Sequence, residues 1–171
     1  MIGVCIATYN QEKYIAQCIA SVLMQVCQMP IRLYIGNDCS TDNTATICMQ
    51  YASQHPNIQV YSREKNLGLT ANTIALLQEM RKDGCEYIAM LDGDDYWLTP
   101  NKLQQQINCL HTHPECGLVH TAYSKSSGEE IIHPAAISDM SRTYGLHGAN
   151  TCNCTVLFRA SLLDLCPLHE F

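Results

Sequence analysis

An α/β fold, with a mostly parallel sheet covered by helices on both faces, is what this sequence predicts, on three observations. Short apolar runs alternate with stretches of helical periodicity through four rounds. The apolar runs are nearly continuous rather than alternating with polar residues, as strands buried on both faces require. And each run ends in a polar cluster, which is where an open α/β sheet gathers its ligand-binding loops.

The elements follow in order. Residues 2–7 form the first strand, and residues 12–24 a helix; in the stretch 14–31 that includes most of it, Ile15, Ile19, Val22, Leu23 and Val26 share one helical face. Residues 31–36 are the second strand, and residues 42–54 a helix carrying Ala45, Ile47, Cys48, Tyr51 and Ala52. Residues 58–62 make a third strand, and residues 70–82 a helix with Ile74, Leu77 and Met80. Residues 87–91 are the fourth strand, and Pro100 opens a helix over residues 101–111. Beyond Pro114 the pattern weakens. A strand is expected over residues 117–124, a polar stretch over 126–148, a strand over 155–158 and a helix from Arg159 to Leu165. No internal repeat or low-complexity tract occurs. One domain is expected over 1–171, with the regular alternation confined to 1–114 and a different pattern over 115–171.

Composition narrows the function. The 171 residues are 47% apolar and 15% charged, which excludes a disordered chain and permits a core without disulfide staples. Sixteen acidic residues against ten Lys and Arg give a formal charge of −6, which argues against a nucleic-acid partner. The apolar stretch near residues 14–31 is interrupted by Gln17, Ser21, Gln25 and Gln28, so it reads as an amphipathic helix and not as a membrane span. There is no basic n-region or cleavage site of a secretory signal. Eleven cysteines is an odd number, and several lie within apolar runs; free thiols and a cytoplasmic location are therefore expected.

The polar clusters are the candidate site. The four strands run into Thr8-Tyr9-Asn10, into Asn37-Asp38-Cys39-Ser40-Thr41-Asp42, toward Asn66-Leu67-Gly68, and into Asp92-Gly93-Asp94-Asp95. Parallel strands deliver all four to one edge of the sheet. Three carboxylates within four residues repel one another unless a cation sits among them, and Mg2+ or Mn2+ suits carboxylates shared with phosphate oxygens. Gly93 would let backbone approach a ligand closely. Asn10, and Thr41 or Asp42, are also candidate helix N-caps, while Asp38, directly after a buried strand, suits hydrogen bonding to a base N–H. Cys109, His111, His113 and Cys116 are zinc-capable but lack a standard spacing, and Cys152 with Cys154 supplies only two thiols.

With these residues assembled, the chain resembles family 2 glycosyltransferases of the nucleotide-sugar-binding GT-A fold along essentially its whole length. The resemblance is carried by Thr8-Tyr9-Asn10, Asp38-x-Ser40-Thr41-Asp42, Asn66-x-Gly68 with Asn72, and Asp92-Gly93-Asp94-Asp95-Tyr96-Trp97 followed by Pro100-Asn101-Lys102-Leu103. It implies that Thr8 and Tyr9 line a nucleoside pocket, and that Asp38 reads the base, most often uracil. Asn10, Asn66, Gly68, Asn72, Asp92 and Gly93 belong to the same substrate-binding set. Asp92 and Asp94 match the DxD motif, the first near the ribose and both toward the divalent metal on the diphosphate. The implied donor is a nucleotide-sugar, and the implied acceptor a glycan or lipid-linked hydroxyl in cell-surface glycan synthesis, with peripheral membrane association left open. Ala7 stands where the family usually has Pro, and Asn37 where it often has Asp. The resemblance implies a nucleotide-binding half over 1–114 and the start of an acceptor-side half over 115–171; the family's catalytic base is expected beyond Phe171, so the chain is expected to be the donor-binding portion of a longer enzyme. Asp164 and Glu170 are carboxylates outside the matching context.

Other readings are a nucleotide-sugar-binding module without catalysis, and a phospho-acceptor receiver domain. Receivers need an acidic pair after the first strand, where Thr8-Tyr9-Asn10 stands. Neither G-x-G-x-x-G nor G-x-x-x-x-G-K-[ST] occurs, against dinucleotide and P-loop enzymes. A sugar nucleotidyltransferase would need a Gly-rich N-terminal loop with a basic residue, which this chain lacks.

Overall fold

The computed structural model describes residues 1–125, 131–132 and 152–165. Its main sheet has six strands in the order β3-β2-β1-β4-β8-β5: β1 (Ile2–Thr8), β2 (Ile31–Asn37), β3 (Ile58–Ser62), β4 (Tyr87–Asp92), β5 (Leu118–Val119) and β8 (Leu157–Arg159). Strands β1 to β4 are parallel, and β8 runs antiparallel between β4 and β5. A separate two-stranded ladder joins β6 (Tyr123–Ser124) to β7 (Ile131–Ile132).

Four helices cover the sheet: α1 (Ile15–Leu23), α2 (Thr44–Gln54), α3 (Leu69–Lys82) and α4 (Lys102–Thr112). All seven residues of β1 are buried, and its alternation divides two cores. Ile2, Val4 and Ile6 pack with Ile15, Ile19 and Val22 of α1, Cys48 of α2, and Leu103, Ile107 and Leu110 of α4. Cys5, with Tyr34 and Ile88 of the neighbouring strands, meets Leu76, Leu77 and Met80 of α3 on the other face. Gly3 allows α3 to lie this close, because a Cβ there would stand 3.3 Å from Met80 Cγ. The side switch has a topological cause. The chain steps outward from β1 to β3 with α1 and α2 on one face, then returns past β1 to β4 through α3. Right-handed crossovers put that returning helix on the opposite face. The crevice outside the carboxyl ends of β1 and β4 is thus a topological switch point.

The boundaries of the first four rounds match the reading of the sequence to within three residues. The later segments differ. The single strand expected over 117–124 is two short strands in different sheets, because Leu118 and Val119 pair with Phe158 and Leu157 while Tyr123 and Ser124 pair with Ile132 and Ile131. The strand expected to begin at residue 155 begins at Leu157. A 3-10 turn, Asn153–Thr155, precedes it, held by the Thr155 hydroxyl and N–H on the Cys152 carbonyl. The helix expected from Arg159 is a 3-10 segment, Ala160–Asp164, which starts one residue later because Arg159 is held in β8 by its pairing with Tyr87. Residues 126–130 and 133–151 of the polar stretch, and Glu170, lie outside the described residues. Among the described residues no helix is long and apolar enough to cross a membrane, and the described cysteines are all free thiols.

Candidate functional site

The strand registers place Thr8 beside Asn37 and Ala7 beside Asp92, so the ends of β1, β2 and β4 form one ledge. The loops that leave it are tied together by side chains. Asn10 has φ of 53°, a left-handed conformation that Asn tolerates better than most residues. That geometry aims its Oδ1 at the Thr41 N–H (2.8 Å) and hydroxyl, while its own N–H donates to Ser40 Oγ (3.0 Å). Gln11 N–H donates to Thr44 Oγ1 (2.8 Å), and Glu12 N–H to Asp42 Oδ2 (3.1 Å). Asp42 Oδ1 accepts the Thr44 N–H at 2.9 Å and so caps the start of α2. Burial raises the Asp42 pKa, but the hydrogen bonds from Thr44 and Glu12 outweigh it and hold the carboxyl below its ordinary value. Between Asp42 and Thr44 alone, the second loop has its cap; Asn10 caps nothing, because α1 begins only at Ile15.

Asp38 is buried behind this ledge. Its two carboxylate oxygens accept the N–H groups of Leu67 (2.8 Å) and Gly68 (2.9 Å). Asn66 Oδ1 also accepts the Gly68 N–H (3.0 Å), and Gly68 itself has φ of 83°, which a side chain would resist. Asp38 therefore holds the 66–68 loop against the end of β2, and a base N–H would share oxygens already engaged. Asn72 is buried, with Nδ2 donating to Gly36 O (2.7 Å) and Oδ1 accepting Arg63 Nε–H (3.0 Å), so it struts α3 onto β2.

The end of β4 carries the densest charge. Asp92 is half-buried, Asp94 exposed and Asp95 intermediate. Burial holds the Asp92 pKa above its ordinary value; a hydrogen bond from Asn153 Nδ2 (3.0 Å) opposes this, and the charges of Asp95 and Asp94 add to it. Among the described residues no Lys, Arg or His forms an ion pair with Asp92, Asp94 or Asp95. Carboxylates in that state suit a hard divalent cation, for which Asp92 and Asp94 are the candidate ligands. Gly93 is needed for a reason other than ligand approach. A Cβ there would collide with Gln11 Oε1 and stand 2.8 Å from Thr8 Oγ1, whose hydroxyl donates to Gln11 at 2.7 Å. Tyr9 is exposed beside this pair and free to face a planar ligand.

Two contributors could not be read from local sequence. Gln11 sits three residues past Thr8, and only the turn into α1 brings its side-chain oxygen against Gly93. Asn153 arrives from a distant segment. The 3-10 turn that carries it is anchored by Trp97, whose Nε1–H donates to the Cys154 carbonyl at 2.8 Å. Lys102 is buried against Trp97, its Nζ 4.3 Å from the ring centroid and 2.8 Å from Gln106 Oε1. Cys109, His111, His113 and Cys116 do not converge. The group that does, among the described residues, is Asp95 with Cys152 and Cys154. Asp164 pairs with Arg81 at the end of α3 that leads into β4, the sheet edge opposite the ledge.

The family model described as "Glycosyl transferase family 2" matches residues 3–164. The chain belongs to that family. Among curated relatives of this family 2 chain, the dTDP-rhamnosyl transferase RfbG of Shigella flexneri is 33% identical over 106 residues, covering 61% of this chain and 36% of RfbG. TuaG of Bacillus subtilis, described as a putative teichuronic acid biosynthesis glycosyltransferase, is 32% identical over 124 residues, covering 72% of this chain and 47% of TuaG. The chain thus spans less than half the length of these two relatives. In three dimensions it superposes on S. aureus TarS 1-349 with a TM-score of 0.73 at 22% identity, covering 95% of this chain and 48% of TarS. That likeness establishes the fold: the six-stranded, mostly parallel sheet is of the GT-A type.

Proposed function

We propose that this chain binds a nucleoside-diphospho-sugar, UDP-linked, and forms the donor half of an enzyme that transfers the sugar to an acceptor hydroxyl with inversion. The observation that carries the reading is the ledge itself. Thr8 and Tyr9 at the end of β1, Asp38 at the end of β2, and Asp92 and Asp94 at the end of β4 stand around one topological switch point. RfbG is named for a dTDP-linked donor, and TarS has been crystallised with UDP and with UDP-GlcNAc. A mannosyltransferase of the same fold, PcManGT from Pyrobaculum calidifontis, has been crystallised with GDP-Man and Mn2+.

The residues divide the work. Tyr9 offers its ring to a base, and Asp38 offers an acceptor to a pyrimidine N–H while keeping the 66–68 loop in place. Asp92, steadied by Asn153, and Asp94 would hold Mg2+ or Mn2+ against the diphosphate. That ion supplies Lewis-acid stabilisation of the charge that develops on the departing nucleoside diphosphate. Inversion further requires a carboxylate base that deprotonates the acceptor hydroxyl on the face of the sugar opposite the leaving group. The donor site is built for a cytoplasmic nucleotide-sugar, with a glycan or lipid-linked acceptor at a membrane surface.

The test is Asp94→Ala. Asp94 is exposed and makes no ion pair among the described residues, so its removal leaves the fold intact. Calorimetric titration with UDP in Mn2+ is expected to show binding to the parent chain and none to the variant. Equal UDP affinity in the two would refute the metal assignment.

A further inference from the structure

We propose that Asp95, Cys152 and Cys154 form a binding site for a thiophilic divalent cation, Zn2+ by ligand chemistry, built on side chains other than the Asp92–Asp94 pair. One carboxylate oxygen and two sulfurs all lie within 4.8 Å of one another. The two sulfurs are 3.2 Å apart. Tetrahedral zinc with bonds of about 2.3 Å to sulfur separates two sulfurs by about 3.7 Å, so the pair opens by roughly half an ångström to admit the ion. Two thiolates exclude Mg2+ and Mn2+, which prefer oxygen, and the carboxylate disfavours Cu(I), which prefers sulfur alone; zinc accepts both.

The ligands are set in place by bonds that do not involve the cation. Asn153, between the two cysteines, donates to Asp92 at 3.0 Å, and Trp97 Nε1–H donates to the Cys154 carbonyl at 2.8 Å. The Thr155 hydroxyl closes the turn on the Cys152 carbonyl at 2.6 Å. Charge agrees with this placement. Zinc with two thiolates and one carboxylate carries a net −1, and a net anion there would help the buried Lys102, whose hydrogen-bond partner Gln106 is neutral, to keep its proton. A bound cation would tie the 153–155 turn to the end of β4, and with it fix Asn153 on Asp92. Three protein ligands leave one position for water.

The test uses the full chain, reduced and stripped of metal, titrated with Co2+ as a spectroscopic substitute for Zn2+. One equivalent of Co2+ is expected to produce thiolate-to-cobalt charge-transfer absorption, which Zn2+ then abolishes by displacement. Cys152→Ser and Cys154→Ser are expected to remove the absorption, and Asp95→Asn to weaken binding by about tenfold or more. Cys109→Ser and Asp94→Ala are expected to retain it, which separates this site from the donor metal. In the parent chain, Zn2+ is expected to protect Cys152 and Cys154 from alkylation, a readout that needs no variant. Absence of the absorption, its survival in Cys152→Ser, or alkylation of both cysteines unchanged by Zn2+ would overturn the proposal.

Discussion

Single side chains in this protein explain residue choices that motif reading explains differently. Gly93 stands in the middle of the DxD motif, where the expected reason for glycine is close approach of a ligand. The structural reason is the Thr8–Gln11 hydrogen bond, which occupies the space a Cβ would need. Thr8 is branched at Cβ and held in a buried strand, so it cannot step aside as the tip of Gln11 can. Gly93→Ala is therefore expected to destabilise the fold by about 1–3 kcal/mol, the usual cost of overpacking. Thermal unfolding measures it. A melting temperature equal to the parent's would show that the ledge yields freely. Asp38 teaches the complementary lesson. Its place after a buried strand marked it as functional, but its hold on Leu67 and Gly68 depends on a loop that sequence spacing does not bring near.

At the level of elements, α4 and the turn before β8 meet through a buried charge. Lys102 follows Pro100-Asn101 in the family's sequence pattern, yet nothing local to it announces burial. The cause is tertiary: its Nζ lies over the Trp97 ring, and Gln106, one turn along α4, accepts a hydrogen bond from it. Gln106 in turn donates to Thr155 O (2.8 Å) and Val119 O (3.3 Å), so the same side chain joins α4 to the β8 edge. Burial lowers the Lys102 pKa from 10.5 to about 7, with the charge of Cys154 opposing it. The sign of the pH effect follows. Below about pH 7 the lysine is charged in folded and unfolded chains alike, and its burial cost is fully felt. Between pH 7 and 10.5 only the unfolded chain keeps the proton, so stability rises with pH across that window. In metal-free protein, Lys102→Met is expected to be more stable than the parent by about 1–4 kcal/mol at pH 6. Denaturant unfolding should show that margin narrowing toward pH 10. A margin that widens with pH would mean that the lysine is not held against its charge.

Across the whole molecule, the first four strand–helix rounds were legible because each carries its own period and the strands β1, β2 and β4 are largely buried on both faces. The ledge was legible for the same reason, since parallel strands in one sheet must deliver their carboxyl ends together. What lay beyond Pro114 was not. Strands of two or three residues have no period to read, and β5 and β8 gain their identity only by pairing with each other and with β4. Asn153, Cys152 and Cys154 reach the acidic cluster through that pairing, so their convergence on Asp92 and Asp95 has no local signal. The central claim is that the ledge is a metal-dependent donor site, and calorimetric titration of this chain with UDP, with and without Mn2+ and with GDP as comparison, tests it most directly. The account predicts UDP binding that requires Mn2+ and exceeds GDP binding; no UDP binding in the presence of Mn2+, or UDP binding indifferent to the metal, would contradict it.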